Sequence, residues 1–205
     1  MSFKKLILPL KEILQQIGFE APTDFQKQVI PKIKGGMNVI GIGSEGCGKT
    51  SAMIISVVQK LNATAFEDVP RALIFVKNKE AALELEEKFK QFTGSTDLRI
   101  QTAYEEGNIN HQKDHIYVGC DIVIATPRRL GKIYFQNGIN LANLQLLIVE
   151  DADFLYHNNT FHTDIYRITE SLAKCQYLVF SNQKDHKIKK LQDLFMQNAL
   201  VIEHK

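Results

Sequence analysis

The chain has 205 residues, of which 44% are hydrophobic and 23% are charged. Its 25 lysine and arginine residues almost balance its 23 aspartate and glutamate residues, so the formal net charge is +2. These proportions are typical of a globular protein with one large domain or two small ones, and they exclude a disordered or fibrous chain. The near-neutral balance also excludes a polybasic clamp for nucleic acid, although it allows a local basic patch.

Neither membrane insertion nor secretion is predicted. No apolar run reaches the roughly 18 residues that a membrane-spanning helix needs, and the N-terminus lacks the pattern of a secretory signal. Cys47, Cys120 and Cys175 are odd in number and scattered, which is not the pattern of a disulfide framework. We therefore expect a soluble cytoplasmic protein with no membrane partner.

Two helices are predicted for the first 35 residues. Leucine and isoleucine recur at helical spacing between residues 6 and 17, and Gly18 is the predicted end of that helix. A second helix is predicted to open with a capping box formed by Thr23 and Gln26. Gly35 and Gly36 are predicted to end it.

From residue 38 onward, short apolar runs alternate with helical stretches. The seven predicted strands are residues 38–41, 72–76, 100–104, 122–125, 146–149, 177–180 and 200–202. Apolar strands that alternate with helices are typical of a parallel sheet covered on both faces. We predict one α/β domain over residues 1–205, with a mostly parallel sheet of about seven strands and helices on both faces.

Residues 43–50, here called the P-loop, read GSEGCGKT. They fit the pattern G-x-x-x-x-G-K-[ST] between a predicted strand and a predicted helix. The glycines allow backbone N–H groups to turn toward phosphate oxygens, and the helix adds the positive end of its dipole. Lys49 is predicted to reach the outer phosphates and the Thr50 hydroxyl to hold Mg²⁺. The alternative is an ordinary glycine-rich turn. Cys47 is interpreted as a small loop residue rather than a redox group.

Residues 150–153 read EDAD and follow the predicted strand 146–149. A P-loop protein needs a carboxylate near the magnesium ion and a group that positions the attacking water. We predict that this segment supplies both. The alternative is a helix N-terminus enriched in acidic residues.

With these motifs in this order, the chain resembles the first RecA-like domain of DEAD-box RNA helicases over essentially its whole length. Residues 18–26 (GFEAPTDFQ) resemble the Q motif, and residues 43–50 match motif I. Residues 150–153 stand where the family has D-E-A-D, and residues 125–129 (ATPRR) resemble its T-P-G-R motif. The resemblance implies a RecA-like domain that binds ATP or ADP with Mg²⁺ and contacts single-stranded RNA.

The resemblance also implies a role for each matched residue. Phe19 would lie against the adenine face and the Gln26 amide on its hydrogen-bonding edge, in addition to or in place of the capping role of Gln26. Phe3 stands upstream, where the family often has another aromatic residue. The nucleotide contacts implied are Phe19, Gln26, Ser44, Glu45, Gly46, Cys47, Gly48, Lys49 and Thr50.

The roles implied in catalysis and RNA contact follow in the same way. Lys49, Glu150 and Asp151 would be catalytic, with Thr50 and Glu150 at the metal and Asp151 activating the water. Asp153 and Ser181 would couple hydrolysis to strand separation. The RNA contacts implied are Asn78, Lys79, Thr126, Pro127, Arg128 and Arg129. Pro127 is also predicted at the first position of a helix capped by Thr126, where an anion is favoured; a plain capped helix is the alternative.

Residues 150–153, here called the acidic segment, depart from the family pattern. A glutamate and then an aspartate stand where the family has an aspartate and then a glutamate. Glu150 carries one methylene more, and Asp151 one fewer, than the residues that the family has there. A misplacement near 1 Å can lower a rate about 10²-fold. We therefore expect slow hydrolysis.

Other departures weaken the expected RNA contact and its coupling to hydrolysis. Residues 77–82 (KNKEAA) replace P-T-R-E-L-A, and Lys79 keeps the positive charge without the fork of an arginine. Glu105 and Glu106 stand where a glycine pair would approach RNA, and their carboxylates would repel phosphate. Residues 181–183 (SNQ) replace S-A-T, and we expect Ser181 to bond to Asp153.

The family's second RecA-like domain carries an arginine finger and half of the RNA channel, and we expect it to be absent from this chain. The function expected is Mg²⁺-dependent ATP binding with weak hydrolysis and RNA contact, without unwinding by this chain alone. A second RecA-like domain or another protein would complete the site in trans. The main alternative is a catalytically inactive nucleotide-binding, RNA-binding or scaffold module, and the other is an unrelated P-loop ATPase.

Overall fold

The structure is a computed structural model that describes residues 3–156, 160–172 and 174–204. The α-helices are α1 (Leu8–Gln16), α2 (Asp24–Lys34), α3 (Lys49–Lys60), α4 (Lys79–Thr93), α5 (Ile109–Val118), α6 (Pro127–Phe135), α7 (Thr160–Thr169) and α8 (His186–Phe195). The strands are β1 (Val39–Gly43), β2 (Ala72–Phe75), β3 (Ile100–Ala103), β4 (Ile122–Ala125), β5 (Leu146–Val149), β6 (Gln176–Ser181) and β7 (Leu200–His204). Short 3₁₀ helices cover Phe3–Lys5 and Ala152–Tyr156.

The seven strands form one sheet in the order β3-β4-β2-β5-β6-β1-β7. Every neighbouring pair is parallel, which confirms the predicted α/β fold. Because all strands run in the same direction, the loops that follow them meet at one edge of the sheet. The loops after β1, β2, β5 and β6 carry the four motif segments 43–50, 77–82, 150–153 and 181–183.

The sheet lies between two hydrophobic clusters because its strands alternate their side chains between the two faces. In β2, Ile74 packs with the cluster that contains apolar residues of α1 to α4, and Leu73 packs with the cluster of α5 to α8. The strands β1, β2, β4 and β5 are buried throughout, as their continuous apolar sequences predict.

The predicted ends of the first two helices are confirmed. Gly18 and Gly36 adopt φ values of +78° and +84°, which residues with a side chain rarely do. The N–H of Gly18 bonds to the carbonyl of Gln15, and the next N–H bonds to the carbonyl of Leu14, so a Schellman motif ends α1. Gly36 ends α2 in the same way.

A buried ion-pair cluster lies at the opposite edge of the sheet, where β2, β3 and β4 begin. Asp121 has no exposed surface and accepts hydrogen bonds from Arg71 at 2.7 Å and from Nε of Arg99 at 3.1 Å. The backbone N–H groups of Phe66 and Arg99 also donate hydrogen bonds to the Asp121 carboxylate. Burial raises the pKa of Asp121, but the bonds from Arg99 and then Arg71 outweigh it and lower the pKa below its ordinary value.

Among the described residues, the structure contains no helix that is both long enough and apolar enough to cross a bilayer.

Candidate functional site

The loop between β1 and α3 has a backbone that only glycine accommodates at two positions. Gly46 and Gly48 have φ values of +78° and +97°. A Cβ atom on Gly48 would also lie 2.7 Å from Nε2 of Gln26 and 3.0 Å from Oγ1 of Thr23. The curvature of the loop therefore favours glycine at both positions, and the close approach of α2 favours it at Gly48.

Lys49 at the start of α3 has its ammonium group folded against the loop. Nζ donates to the carbonyl oxygens of Gly43 at 2.5 Å and Ser44 at 2.8 Å. It also donates to Oδ1 of Asn182 at 2.9 Å. An ammonium group has three N–H donors, so these contacts use all of them.

Thr50 and Glu150 meet across the carboxyl edge of the sheet. The Thr50 hydroxyl donates to Oε1 of Glu150 at 2.6 Å, although 100 residues separate the two in sequence. The other carboxylate oxygen, Oε2, is buried and has no hydrogen-bond partner in the described part of the chain. Burial raises the pKa of Glu150 to about 7, the Thr50 bond lowers it and the charge of Asp151 raises it further.

These two residues fit a magnesium ion. A hydroxyl and a carboxylate are the hard oxygen ligands that Mg²⁺ prefers, and it is usually held by one or two such groups together with substrate phosphates. The buried oxygen without a partner in the described part of the chain is the acceptor that a cation would satisfy.

Asp151 and Asp153 face the loop that follows β6. Asp151 has φ +49°, and its side chain is 44% exposed, with Nδ2 of Asn182 at 3.2 Å and Nζ of Lys77 at 3.9 Å. Burial, followed by the nearby Asp153, raises the pKa of Asp151 above its ordinary value. Asp153 accepts bonds from Oγ of Ser181 at 3.0 Å and from the backbone N–H of Asn182 at 2.8 Å. The Ser181–Asp153 bond is therefore present, and its coupling role stays a prediction.

Asn182 is the site residue that the sequence analysis missed. It stands at the alanine of the family's S-A-T motif and contacts Lys49, Asp151 and Asp153 at once. The one feature of the sequence that could have indicated this role is a polar amide where the family that the chain resembles has the methyl side chain of alanine.

A cavity of about 720 Å³ joins the P-loop to the acidic segment. It is lined by Glu45, Gly46, Gly48, Lys49, Thr50, Ser51, Val76, Lys77, Asn78, Glu80, Ala81, Glu84, Leu85, Lys88, Glu150, Asp151 and Asn182. Lys49, Thr50, Glu150 and Asp151, which are predicted to bind phosphate, hold the metal and activate water, therefore line one space. Asn78, predicted to contact RNA, also lines it, and its Oδ1 caps α4 by accepting from the N–H of Ala81 at 3.0 Å.

Gln26 forms the predicted capping box and is 2% exposed. Its Oε1 accepts from the N–H of Thr23 at 3.0 Å, and its Nε2 donates to Oγ of Ser51 at 2.8 Å. The Thr23 hydroxyl donates to the carbonyl of Cys47 at 2.8 Å. The start of α2 is thus tied to the P-loop, and the adenine contact of Gln26 stays a prediction.

The two aromatic residues implied for adenine, Phe19 and Phe3, line one common cavity. Phe19 packs edge-on against Phe92, with the ring centroids 5.4 Å apart, and lies among apolar side chains of α1 and α4. Phe3 lines a cavity of about 290 Å³ together with Pro22, Gln26 and apolar residues of α2. Phe3 also lines a second cavity together with Phe19, so Phe3 lies between the cavity of Gln26 and that of Phe19.

The residues predicted to contact RNA differ in accessibility. Thr126 and Arg129 are 1% and 6% exposed, Pro127 is also buried, and Arg128 is exposed. Lys79 is half-buried, with Nζ 5.6 Å from the centre of the Tyr104 ring.

The prediction that Thr126 caps α6 is wrong in one respect. Pro127 occupies the first helical position and Thr126 the capping position, but the Thr126 side chain makes no capping bond. Its hydroxyl donates to Oε2 of Glu105 at 2.5 Å, and Arg129 donates to the Glu105 carbonyl. The Thr126 hydroxyl is oriented toward the charged acceptor Glu105, and its oxygen accepts no bond from the N–H groups of α6.

The sequence matches the DEAD/DEAH box helicase family over residues 23–191. It is 32% identical to the ATP-dependent RNA helicase dbp10 of Schizosaccharomyces pombe over 165 residues, which cover 80% of this chain and 19% of that protein. It is 26% identical to the pre-mRNA-processing ATP-dependent RNA helicase PRP5 of Lodderomyces elongisporus over 212 residues, covering 98% of this chain and 21% of that protein. The chain spans about a fifth of the length of these relatives.

Solved structures share the fold. A DEAD box protein from the hyperthermophile Methanococcus jannaschii matches with a TM-score of 0.91 at 25% identity, over all of this chain and 56% of that one. The yeast DEAD-box splicing factor Prp28 has the same fold, with a TM-score of 0.86 at 22% identity, over 96% of this chain and 49% of that one. The sequence match, the strand order of the sheet and the P-loop all indicate the same family. This chain belongs to the DEAD/DEAH box helicase family, whose N-terminal RecA-like domain it matches.

Proposed function

We propose that this chain binds ATP or ADP with Mg²⁺, hydrolyses ATP slowly, and contacts single-stranded RNA without unwinding it alone. The observation that carries the proposal is the meeting of the P-loop and the acidic segment, with Oγ1 of Thr50 2.6 Å from Oε1 of Glu150. Lys49 lies beside them and lines the same cavity. A phosphate site and a metal site are thereby adjacent, as ATP chemistry requires.

The P-loop is the part that would bind the phosphates. The turns at Gly46 and Gly48 and the N-terminus of α3 favour an anion, and Lys49 adds a positive charge. Thr50 and Glu150 would hold the magnesium ion. When bound, Mg²⁺ neutralises phosphate charge and orients the terminal phosphate.

Asp151 is the residue that would position the attacking water. Its carboxylate lines the cavity and is partly exposed, so that water can reach it. It is one methylene shorter than a glutamate, and general-base help is typically worth about 10²–10⁴-fold. Slow hydrolysis follows from a carboxylate that is present but shorter than the one the family uses.

The cavity shared by Phe3, Pro22 and Gln26 is the place proposed for the adenine base. An aromatic ring and a proline offer flat apolar surfaces, and an amide offers a donor and an acceptor to a base edge. To bind adenine, the Gln26 amide would exchange at least one of its bonds to Thr23 or Ser51.

A second RecA-like domain, supplied by another part of a longer protein or by another chain, is proposed to complete the site. The relatives are about five times as long as the matched segment, and arginine fingers contribute about 10³–10⁵-fold in P-loop enzymes. We propose that this chain alone turns over ATP slowly, does not separate RNA strands and works in the cytoplasm.

The test is single-turnover ATP hydrolysis with the chain in excess over labelled ATP and Mg²⁺. Lys49→Ala is the test variant, and Lys60→Ala, which removes the same charge at the other end of α3, is its control. We expect retained nucleotide and slow phosphate release with the wild type and Lys60→Ala, and neither with Lys49→Ala.

Other outcomes of the same test decide against parts of the proposal. Retained nucleotide without phosphate release identifies an inactive nucleotide-binding module. This second function is favoured by the exchanged acids at residues 150 and 151. No retained nucleotide in the wild type contradicts the proposed function as a whole.

A further inference from the structure

We propose that Asn182 is a positioning residue of the nucleotide site, which competes with nucleotide phosphates for Lys49 and holds Asp151 in place. The inference rests on the proposed nucleotide binding and assigns it a further residue. Asn182 follows β6 and is half-buried at the rim of the 720 Å³ cavity. It makes three hydrogen bonds, each to a different residue of the site.

The backbone of Asn182 is anchored first. Its N–H donates to Oδ2 of Asp153 at 2.8 Å, and the hydroxyl of the preceding Ser181 donates to Oδ1 of the same carboxylate at 3.0 Å. Both oxygens of Asp153 are therefore used to hold this loop against the acidic segment. The backbone that carries the Asn182 side chain is therefore held in place.

The two ends of the Asn182 carboxamide face groups of opposite charge. Oδ1, an acceptor, faces the ammonium of Lys49 at 2.9 Å, and Nδ2, a donor, faces the carboxylate of Asp151 at 3.2 Å. The reversed orientation would place a donor against the ammonium and an acceptor against the carboxylate. One side chain therefore bridges the P-loop and the residue proposed to position water.

The bridge limits what Lys49 can bind. Its three N–H donors are used by the carbonyls of Gly43 and Ser44 and by Asn182. A phosphate oxygen can take a hydrogen bond from Lys49 only by replacing one of these acceptors. The carbonyls belong to the loop itself, so the Asn182 amide is the acceptor that a substitution can remove.

The same bridge fixes Asp151. Asp151 also forms an ion pair with Lys77, at 3.9 Å, and both side chains are about half exposed. An exposed pair at this distance restrains a side chain weakly. Loss of the Asn182 amide therefore favours nucleotide binding through Lys49 and disfavours hydrolysis through Asp151, and these two effects have opposite signs.

Two substitutions separate the contacts. Asn182→Ala removes both, whereas Asn182→Asp keeps an acceptor for Lys49, now charged, and removes the donor to Asp151. The dissociation constant of a fluorescent ADP analogue with Mg²⁺ is measured for both variants, the wild type and Lys49→Ala. We expect about five-fold tighter binding for Asn182→Ala and about five-fold weaker binding for Asn182→Asp.

Single-turnover hydrolysis at saturating ATP gives the second readout, and the rate constant should fall about ten-fold in both variants because Asp151 is no longer held. Damage to the loop would instead weaken nucleotide binding in both variants. Equal affinities in the wild type and both variants, or shifts in the same direction, overturn the inference. If the wild type itself binds no better than Lys49→Ala, the proposed function has failed and the inference falls with it.

Discussion

The hydroxyl of Thr126 donates a hydrogen bond to the carboxylate of Glu105 at 2.5 Å, at the N-terminus of α6. Arg129 donates to the carbonyl of the same glutamate. The start of a helix favours an anion, and here a carboxylate of the chain itself supplies one. RNA phosphate proposed to bind at Thr126 must therefore replace Glu105.

Glu105→Gln should raise the affinity for single-stranded RNA about three- to ten-fold, because it removes a negative charge next to the proposed phosphate site. The measurement is fluorescence anisotropy of a short labelled RNA in the presence of Mg²⁺ and nucleotide. Glu106→Gln is the control, since Glu106 is exposed and carries the same charge one residue away. Equal gains in both variants would mean that only the overall charge matters, and would contradict the specific role of Glu105.

Restoring the family order of the first two acids should raise the hydrolysis rate. The double variant Glu150→Asp with Asp151→Glu moves each carboxylate by about one methylene, and such a shift can change a rate about 10²-fold. Single-turnover phosphate release is measured beside each single variant. A rate equal to that of the wild type would show that the acids do not limit the reaction and would point to the second RecA-like domain.

Glu150→Gln should stabilise the chain above neutral pH in the absence of Mg²⁺. Burial raises the pKa of Glu150 from 4.5 to about 7, so the folded chain keeps a proton that the unfolded chain releases between these values. Stability therefore falls as pH rises from about 4.5 to 7, and the full loss is present above that range. The neutral amide avoids this loss and keeps an oxygen for the Thr50 hydroxyl.

We expect Glu150→Gln to gain about 3 kcal/mol of unfolding free energy at about pH 8 and almost nothing at about pH 4. Urea unfolding with a chelator present measures both. Glu80→Gln, at an exposed position of α4, is the control and should change stability little at either pH. A gain of the same size at both pH values would show that the buried charge is not its cause.

Asp121→Asn should lower the unfolding free energy by about 3–5 kcal/mol at neutral pH, because it leaves Arg71 buried without a counter-charge. The lowered pKa of Asp121 means that its stabilisation is present above the ordinary aspartate value and is lost as pH falls through the folded value. Asp68→Asn removes the exposed partner of Arg99, at 2.9 Å, and should cost less than about 1 kcal/mol. Similar losses in both variants would contradict the assignment of the cluster's stability to the buried carboxylate.

Gln26→Ala should reduce the preference for adenine over guanine nucleotides and lower stability by about 1–2 kcal/mol through loss of the capping box. Competition binding of ADP and GDP measures the first effect, and thermal unfolding measures the second. Gln28→Ala, at an exposed position of the same helix, is the control. Unchanged selectivity with reduced stability would leave Gln26 a capping residue alone.

The strands, the P-loop and the family could be predicted from the sequence because each depends on residues close together in the chain. The seven strands lie within two residues of their predicted positions, since continuous apolar runs are buried on both faces of a parallel sheet. The capping box of Thr23 and Gln26 and the helix ends at Gly18 and Gly36 are likewise local. Each of these patterns depends on the backbone conformation of a few neighbouring residues, which the local sequence determines.

Contacts between loops could not be predicted in this way. Lys49 and Asn182 are 133 residues apart, and they meet because β1 and β6 are neighbours in the sheet, an order that no local pattern specifies. The sequence predicts that Glu105 repels RNA but does not show its bond to Thr126, which forms because the ends of β3 and β4 lie side by side. The sequence by itself determined which chemical groups this protein has at the sheet edge, and only the tertiary structure decided which of them are already bonded to one another.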